Sequence, residues 1–256
     1  MEEGNATTLR LNKAVSDTGH CSRREADRLI EQGRVTVNGL TGVLGQKISM
    51  EDVLAVDGMQ ISVTESPVYI AFNKPVGIIS TTEKTIQNNI IDYIGHPRRI
   101  FPIGRLDKPS EGLILLTSDG NIVNKILRAG NNHEKEYLVT VNKPITNTFI
   151  NEMSNGIPIL DTVTDKCIVT KESNYEFRII LKQGLNRQIR RMCGYLNYEV
   201  EKLRRIRIMN ILLDGIEPGK WRDLTKQELS QIMELTANSI KTADATIREM
   251  DEDDME

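Results

Sequence analysis

Aromatic residues make up only 4% of this 256-residue chain, which also holds three cysteines and three histidines. Each scarcity removes a class of protein. Cys21, Cys167 and Cys193 are odd in number and form no Cys-x-x-Cys pair, which argues against a disulfide framework or a zinc ribbon. They are expected to be buried or idle thiols in a reducing cytoplasm. His20, His96 and His133 are scattered without metal-ligand spacing, so neither a metal site nor a Ser/His triad is supported. No uncharged apolar run approaches the ~18–20 residues of a membrane span, and the acidic start Met1-Glu2-Glu3-Gly4 predicts no secretory leader. Phosphate loops are missing too: no Gly-x-Gly-x-x-Gly opens a helix, and there is no Gly-x-x-x-x-Gly-Lys-Ser/Thr. With 39% apolar residues the chain can still build a core, in one large domain or two unequal ones.

A large excess of one charge is also absent, since the net charge is −3. The distribution matters more than the total. Asp244–Glu256 carries seven acids and one base, leaving the rest of the chain at +3. Arg187–Arg207 holds seven bases and two acids. Local charge decides whether a phosphate backbone is attracted, so a nucleic-acid partner stays open.

Residues 1–7 read as a frayed end. Ser22-Arg23-Arg24-Glu25 has the pattern of a capping box, opening a helix whose apolar face is Ala26, Leu29 and Ile30. Arg24 and Arg28 project together from it, with Arg23 beside them. Gly33 ends the helix, Arg34–Val37 reads as a strand, and Asn38-Gly39 as its turn. Leu9, Leu11, Ala14 and Val15 predict a shorter helix upstream, and Asp52 to Val63 another strand-rich stretch. Ser66-Pro67 marks a boundary, so the expected division is 8–65, 66–235 and an acidic tail 236–256. In the larger part, strands are predicted at Val68–Phe72, Gly112–Thr117, Tyr137–Val141, Cys167–Thr170, Phe177–Lys182 and Ile206–Leu213. Helices are predicted at Ile122–Arg128, Thr146–Ser154, Asn186–Leu196 and Lys226–Glu234. Strands adjoin strands as often as helices, which predicts an α+β fold with a mixed or antiparallel sheet flanked by helices.

One segment could carry chemistry: Gly104-Arg105-Leu106-Asp107-Lys108-Pro109-Ser110-Glu111, just before the apolar run Gly112–Thr117. A buried strand there would hold the loop at the rim of the core. A carboxylate set between Arg105 and Lys108 suits nucleophilic or general-base work and not proton donation. Asn186 is read as the N-cap of a helix on which Arg187 shares a face with Arg190 and Arg191, a face able to track phosphates.

These words resemble known families. Leu11-Asn12-Lys13, Cys21-Ser22-Arg23-Arg24 and Gly33-Arg34-Val35-x-Val37-Asn38-Gly39 resemble an S4 RNA-binding domain. Gly104-Arg105-Leu106-Asp107 followed by Ser110-x-Gly112-Leu113-x-Leu115-Leu116-Thr117 resembles the RsuA/RluB/RluE/RluF group of pseudouridine synthases. Asn73-Lys74-Pro75-x-Gly77, Lys135-Glu136-Tyr137, Gln183-Gly184-x-Asn186 through Met192, and Trp221-Arg222-x-Leu224-Thr225 fit the same group. The variants around His133 and Arg187 are most similar to its RluF branch.

The resemblance implies isomerisation of a uridine in 23S ribosomal RNA, with a tyrosine tRNA as a second substrate, and no metal or organic cofactor. It implies Asp107 as the catalytic carboxylate, Tyr137 as a flat face for the extruded base and Arg190 as the partner of Asp107. Leu203 is expected to line the uracil pocket. RNA contacts are expected at Arg105, Leu106, Lys108, Arg187, Gln188, Ile189 and Arg191, and on the S4 part at Arg23, Arg24 and Arg28. A cytoplasmic monomer without membrane contact is expected. The competing reading is an S4-type RNA-binding or ribosome-assembly factor that keeps the fold without the chemistry.

Overall fold

Turn and cap signals in the first sixty residues lead directly to local structure. In the computed structural model, which describes residues 8–62, 66–127 and 132–237, strand β1 (Leu9–Arg10) runs into helix α1 (Leu11–Asp17). Ser22 caps helix α2 (Arg23–Glu31) by accepting the Glu25 N–H at 3.1 Å, a contact that contributes about 1 kcal/mol. The Glu25 carboxylate does not return to the cap as a capping box requires; it accepts from Arg28 at 3.1 Å. Leu11, Ala14 and Val15 of α1 bury against Ala26, Leu29 and Ile30 of α2. Gly33, at φ +69°, ends the second helix. Asn38 and Gly39, both at positive φ, join β2 (Val35–Val37) to β3 (Leu40–Thr41) as a tight hairpin. β4 (Lys47–Ile48) pairs with β1, while β5 (Leu54–Val56) and β6 (Met59–Ile61) complete a sheet ordered β3-β2-β5-β6. The chain divides into two compact units, the first ending at Pro67 and including Pro97–Arg99, the second formed by Val68–His96 and everything from Ile100.

The second unit contains β7 (Tyr69–Lys74), α3 (Ile90–Ile94), β8 (Phe101–Ile103), β9 (Glu111–Thr117), α4 (Gly120–Leu127) and β10 (Lys135–Val141). There follow α5 (Asn147–Asn155), the small hairpin β11 (Pro158–Ile159) and β12 (Thr162–Val163), β13 (Ile168–Lys171) and β14 (Glu176–Leu181). The last elements are α6 (Gln188–Tyr195), β15 (Val200–Ile208), β16 (Ile211–Leu212), β17 (Trp221–Asp223) and α7 (Lys226–Leu235). Among the described residues, no helix is long and apolar enough to cross a membrane. The main sheet runs β13-β14-β10-β15-β9-β7-β17, with β8 added to β9 and β16 to β15. Among the described residues its one parallel strand pair is β9 with β15, so the sheet is mixed, as expected.

Burial explains why the β9 sequence shows no alternation. Leu113 and Leu115 face one side, against Ile122, Ile126 and Ile232, while Ile114 and Leu116 face the other, against Phe72, Ile78 and Ile90. A strand covered on both faces needs apolar residues throughout. The other half of the sheet is covered on one side only, where Val139, Phe177 and Ile179 meet Phe149, Met153 and Met192. Its open side carries an ion network in which Arg178 bonds Glu172 at 2.8 Å and also pairs with Glu136, and Arg207 bonds Glu136 at 2.6 Å and Glu134 at 3.0 Å.

Two expectations need correction. β15 begins at Val200 instead of Ile206 and stops at Ile208, so much of the basic stretch is strand, and the charge of Arg207 is spent on Glu134 and Glu136. Helix α6 starts at Gln188, because Arg187 sits in the left-handed region at φ 47° as its N-cap; Asn186 does not cap it. The elements α3, β8 and β17 were not foreseen, being short and weakly patterned. The expected frayed end 1–7 and the acidic tail beyond residue 237 lie outside the described residues.

Candidate active site

Asp107 lies in the connection between β8 and β9, and the backbone there is gripped along its length. Five consecutive carbonyls, from Arg105 to Pro109, each accept a hydrogen bond. Arg205 Nη1 donates to the Arg105 carbonyl at 3.4 Å, and the Ser80 hydroxyl to that of Leu106 at 2.8 Å. The Ser110 N–H donates to the Asp107 carbonyl at 3.0 Å and the Gly77 N–H to that of Lys108 at 2.8 Å. Arg190 donates to Pro109 at 3.3 Å. Ser80 also accepts the Leu106 N–H at 3.2 Å, so one buried hydroxyl clamps both sides of that residue. Leu106 itself is buried and anchors the loop in the core, which removes it from the expected RNA surface.

The carboxylate is left accessible, with 31% of the Asp107 side chain exposed. Arg187 Nη1 and Arg190 Nε each stand 4.0 Å from its Oδ2, ion-pair distances beyond hydrogen-bond length. Arg190 reaches Asp107 from a fixed position, donating through Nη1 to the Val200 carbonyl at 3.0 Å and through Nη2 to Ser110 Oγ at 3.3 Å. Its Nε is buried without a hydrogen-bond partner, so this N–H can tighten onto a shifted carboxylate or a ligand atom. Burial pushes the Arg190 guanidinium down from its ordinary range, and Arg187 beside it adds to this, while Asp107 acts in the opposite direction. The cations paired with Asp107 thus come from the start of α6, eighty residues along the chain. Arg105 and Lys108, expected to flank the carboxylate, are exposed residues.

A row of residues crosses the sheet beneath this loop. Tyr137 of β10 pairs with Arg205 of β15, Arg205 with Gly112 of β9, and Gly112 with Lys74 of β7. Gly112 is required there: an added Cβ would lie 2.3 Å from the Arg205 carbonyl oxygen. Arg205 is buried, donates to the Leu113 carbonyl at 2.6 Å, and holds its guanidinium 5.9 Å from the Tyr137 ring centroid. It therefore links the Tyr137 ring to the loop carrying Asp107. Lys74 is fully buried and donates to the carbonyls of Pro75 (3.0 Å) and Ile78 (2.8 Å). Burial pushes its ammonium down to about 8; Asp107 opposes this, Arg205 adds to it, and Glu111 opposes it. Arg205, Ser80 and Lys74 were not among the expected site residues. The alternation of Leu203 and Arg205 with exposed Lys202 and Arg204 was the available signal for Arg205.

Several expected contacts fall elsewhere. Gln188 is buried, accepts the Leu185 N–H at 3.0 Å and donates to Gln183 at 3.1 Å, so it shapes the entry to α6. Ile189 packs in the core with Val139 and Phe177 instead of facing RNA, and Leu203 is buried in the same cluster, against which Tyr137 packs. Arg187, Arg190 and Arg191 do not share a face. Arg187, at the N-cap, and Arg190 both turn toward Asp107, whereas Arg191 folds back onto Asn186 at 3.0 Å. On the first unit, Arg23, Arg24 and Arg28 are exposed.

The RNA pseudouridylate synthase family matches residues 68–195, and the S4 domain family matches residues 9–41. The chain belongs to the RNA pseudouridylate synthase family. This pseudouridine synthase is 59% identical over 235 residues to the dual-specificity RNA pseudouridine synthase RluF of Escherichia coli strain K12, covering 91% of the chain and 81% of that protein. Against the protein of the same name from Salmonella typhi it is 59% identical over 239 residues, covering 93% and 83%. It is similar to a solved pseudouridylate synthase structure, with a TM-score of 0.64 and 27% identity over 88% of this synthase and 99% of that chain.

Proposed function

We propose that Asp107 carries the isomerisation of a uridine swung out of an RNA loop, with Tyr137 as the face on which the base rests. The observation that supports this most is an accessible carboxylate, facing Arg187 and Arg190 at 4.0 Å, on a loop gripped at five successive carbonyls. Pseudouridine formation breaks the N1–C1′ bond, turns the uracil and forms C5–C1′; a proton leaves C5 and one is taken up at N1. Electrons balance without an oxidant. Asp107 serves by attacking C1′ or by removing the 2′ proton, and both routes need the carboxylate held beside the ribose. Arg190 orients it from anchors on two elements. Extruding a base costs a few kcal/mol, and stacking on an aromatic ring returns roughly 1–3 kcal/mol.

The RNA read here is 23S ribosomal RNA, with a tyrosine tRNA as second substrate, a reading supported by the identity to proteins named dual-specificity synthases. Residues 8–65 act as the S4 module, with Arg23, Arg24 and Arg28 toward phosphates, and 66–235 as the synthase, working as a monomer in the cytoplasm. Tritium release from C5-labelled uridine in unmodified large-subunit rRNA tests the assignment. Wild type releases tritium, whereas Asp107→Asn loses at least about 10³-fold in rate while still binding RNA. Release by the variant at the wild-type rate overturns the role of Asp107. Binding without release by wild type favours a factor that only binds RNA.

A further inference from the structure

The face of the sheet that carries Tyr137, Arg205 and Lys74 does not end at the site. Phe72 lies two residues before Lys74 on β7 and therefore on the same face. Its partner on β17 is Trp221. Trp221 is the only tryptophan in the sequence and is 38% exposed. The His96 ring meets it edge-on, with centroids 5.4 Å apart. Tyr93, 46% exposed, leans on Phe72 at 5.8 Å, and a Cβ on Gly219 would lie 2.5 Å from its hydroxyl. That glycine leaves room for the Tyr93 ring beside the turn leading to Trp221. Exposed Lys220 precedes the tryptophan and offers a cation to a phosphate.

Trp221 lies on the edge strand β17, and an exposed apolar edge is a liability unless something covers it. Trp221 lies two strand spacings from β9, roughly 10 Å, at the end of the sheet where the Asp107 loop enters, and Tyr93 of α3 rests on Phe72, the cross-strand partner of Trp221. We infer that Trp221 and Tyr93 form a second stacking platform, which takes a base adjoining the flipped uridine in the substrate RNA. The inference rests on the reading of Asp107 as the catalytic residue. A stacked neighbour would hold the strand open while the target uridine turns. Stacking tolerates any base, so the platform adds affinity and holds the RNA in register without reading its sequence.

The lone tryptophan makes the test direct. Full-length protein is titrated with unmodified large-subunit rRNA transcript while intrinsic emission and filter binding are followed together. Saturating RNA is expected to quench Trp221 emission in wild type and equally in Asp107→Asn, which binds without turnover. In Trp221→Ala, checked for folding by thermal melting, KM is expected to rise about tenfold with a smaller change in kcat, and Trp221→Phe should recover most of the loss. Emission that stays constant while filter binding saturates overturns the platform and leaves the role of Asp107 intact. A folded Trp221→Ala with wild-type KM does the same. Tritium release by Asp107→Asn would instead defeat the catalytic reading, whatever Trp221 reports.

Discussion

The loop around Asp107 and the helix face bearing Arg23, Arg24 and Arg28 hold their charged groups in opposite ways. In the loop, every carbonyl from 105 to 109 is bonded, Leu106 is buried, and the opposing Arg190 is tied to β15 and to the loop itself. On the helix face the guanidiniums are exposed, and Arg28 is bonded only weakly, through an exposed pair with Glu25 at 3.1 Å. Such a pair contributes little. Chemistry at one atom needs a carboxylate fixed to within a fraction of an ångström, because misplacement by about 1 Å can cost about 10² in rate. Phosphate attraction needs only positive charge within reach, and long free side chains supply it.

The contrast can be broken at either end. After Asp107→Asn, the largest effect is expected from Arg190→Lys. An ammonium cannot span Val200, Pro109 and Ser110 as the guanidinium does, so kcat should fall about 10²-fold in single-turnover assays with RNA affinity little changed. Next comes Ser80→Ala, which leaves the buried N–H and carbonyl of Leu106 unpaired; urea melts should show a loss of about 1–3 kcal/mol and kcat should drop about tenfold. If Ser80→Ala loses stability but keeps full kcat, the clamp is not what places the carboxylate.

A pH test follows from Lys74, and from partly buried Lys135, which burial also pushes down to about 8, with Arg205 adding to the effect. Unfolded lysines titrate at about 10.4, so between about pH 8 and 10 the unfolded chain binds more protons at these two lysines, and their contribution to stability rises with pH, while burial pushes the Cys167 and Cys193 thiols up to about 11 and about 12 and gives a contribution of opposite sign. The urea midpoint of wild type relative to Lys74→Met should therefore rise across that window, because the cysteine contribution is common to both proteins. An equal slope in both proteins would show that Lys74 is not desolvated. The smallest effect belongs to the helix face: Arg28→Ala should reduce the salt slope of RNA binding by about one and leave kcat alone.

What could be read in advance follows the range of the interactions involved. The Ser22 cap, the Gly33 stop and the Asn38-Gly39 turn are decided within a few residues, and so is the doubly buried β9. The site is not local. Arg205 was counted as charge because nothing near it in sequence shows the Leu113 and Arg105 carbonyls it bonds. Helical spacing gives Arg187, Arg190 and Arg191 one face; Arg187 and Arg190 do converge, on Asp107, while Arg191 is drawn back onto Asn186 at the helix entry. Gln188 and Ile189 lie in the same basic segment, but the first turn of α6 directs them inward.

The Arg105 carbonyl waits for a guanidinium one hundred positions further along. During synthesis, β7, β8 and β9 leave the ribosome long before β15, so a nascent chain carrying Asp107 lacks the contacts that aim it. The Arg205 hold on the loop therefore closes only when β15 pairs beside Gly112.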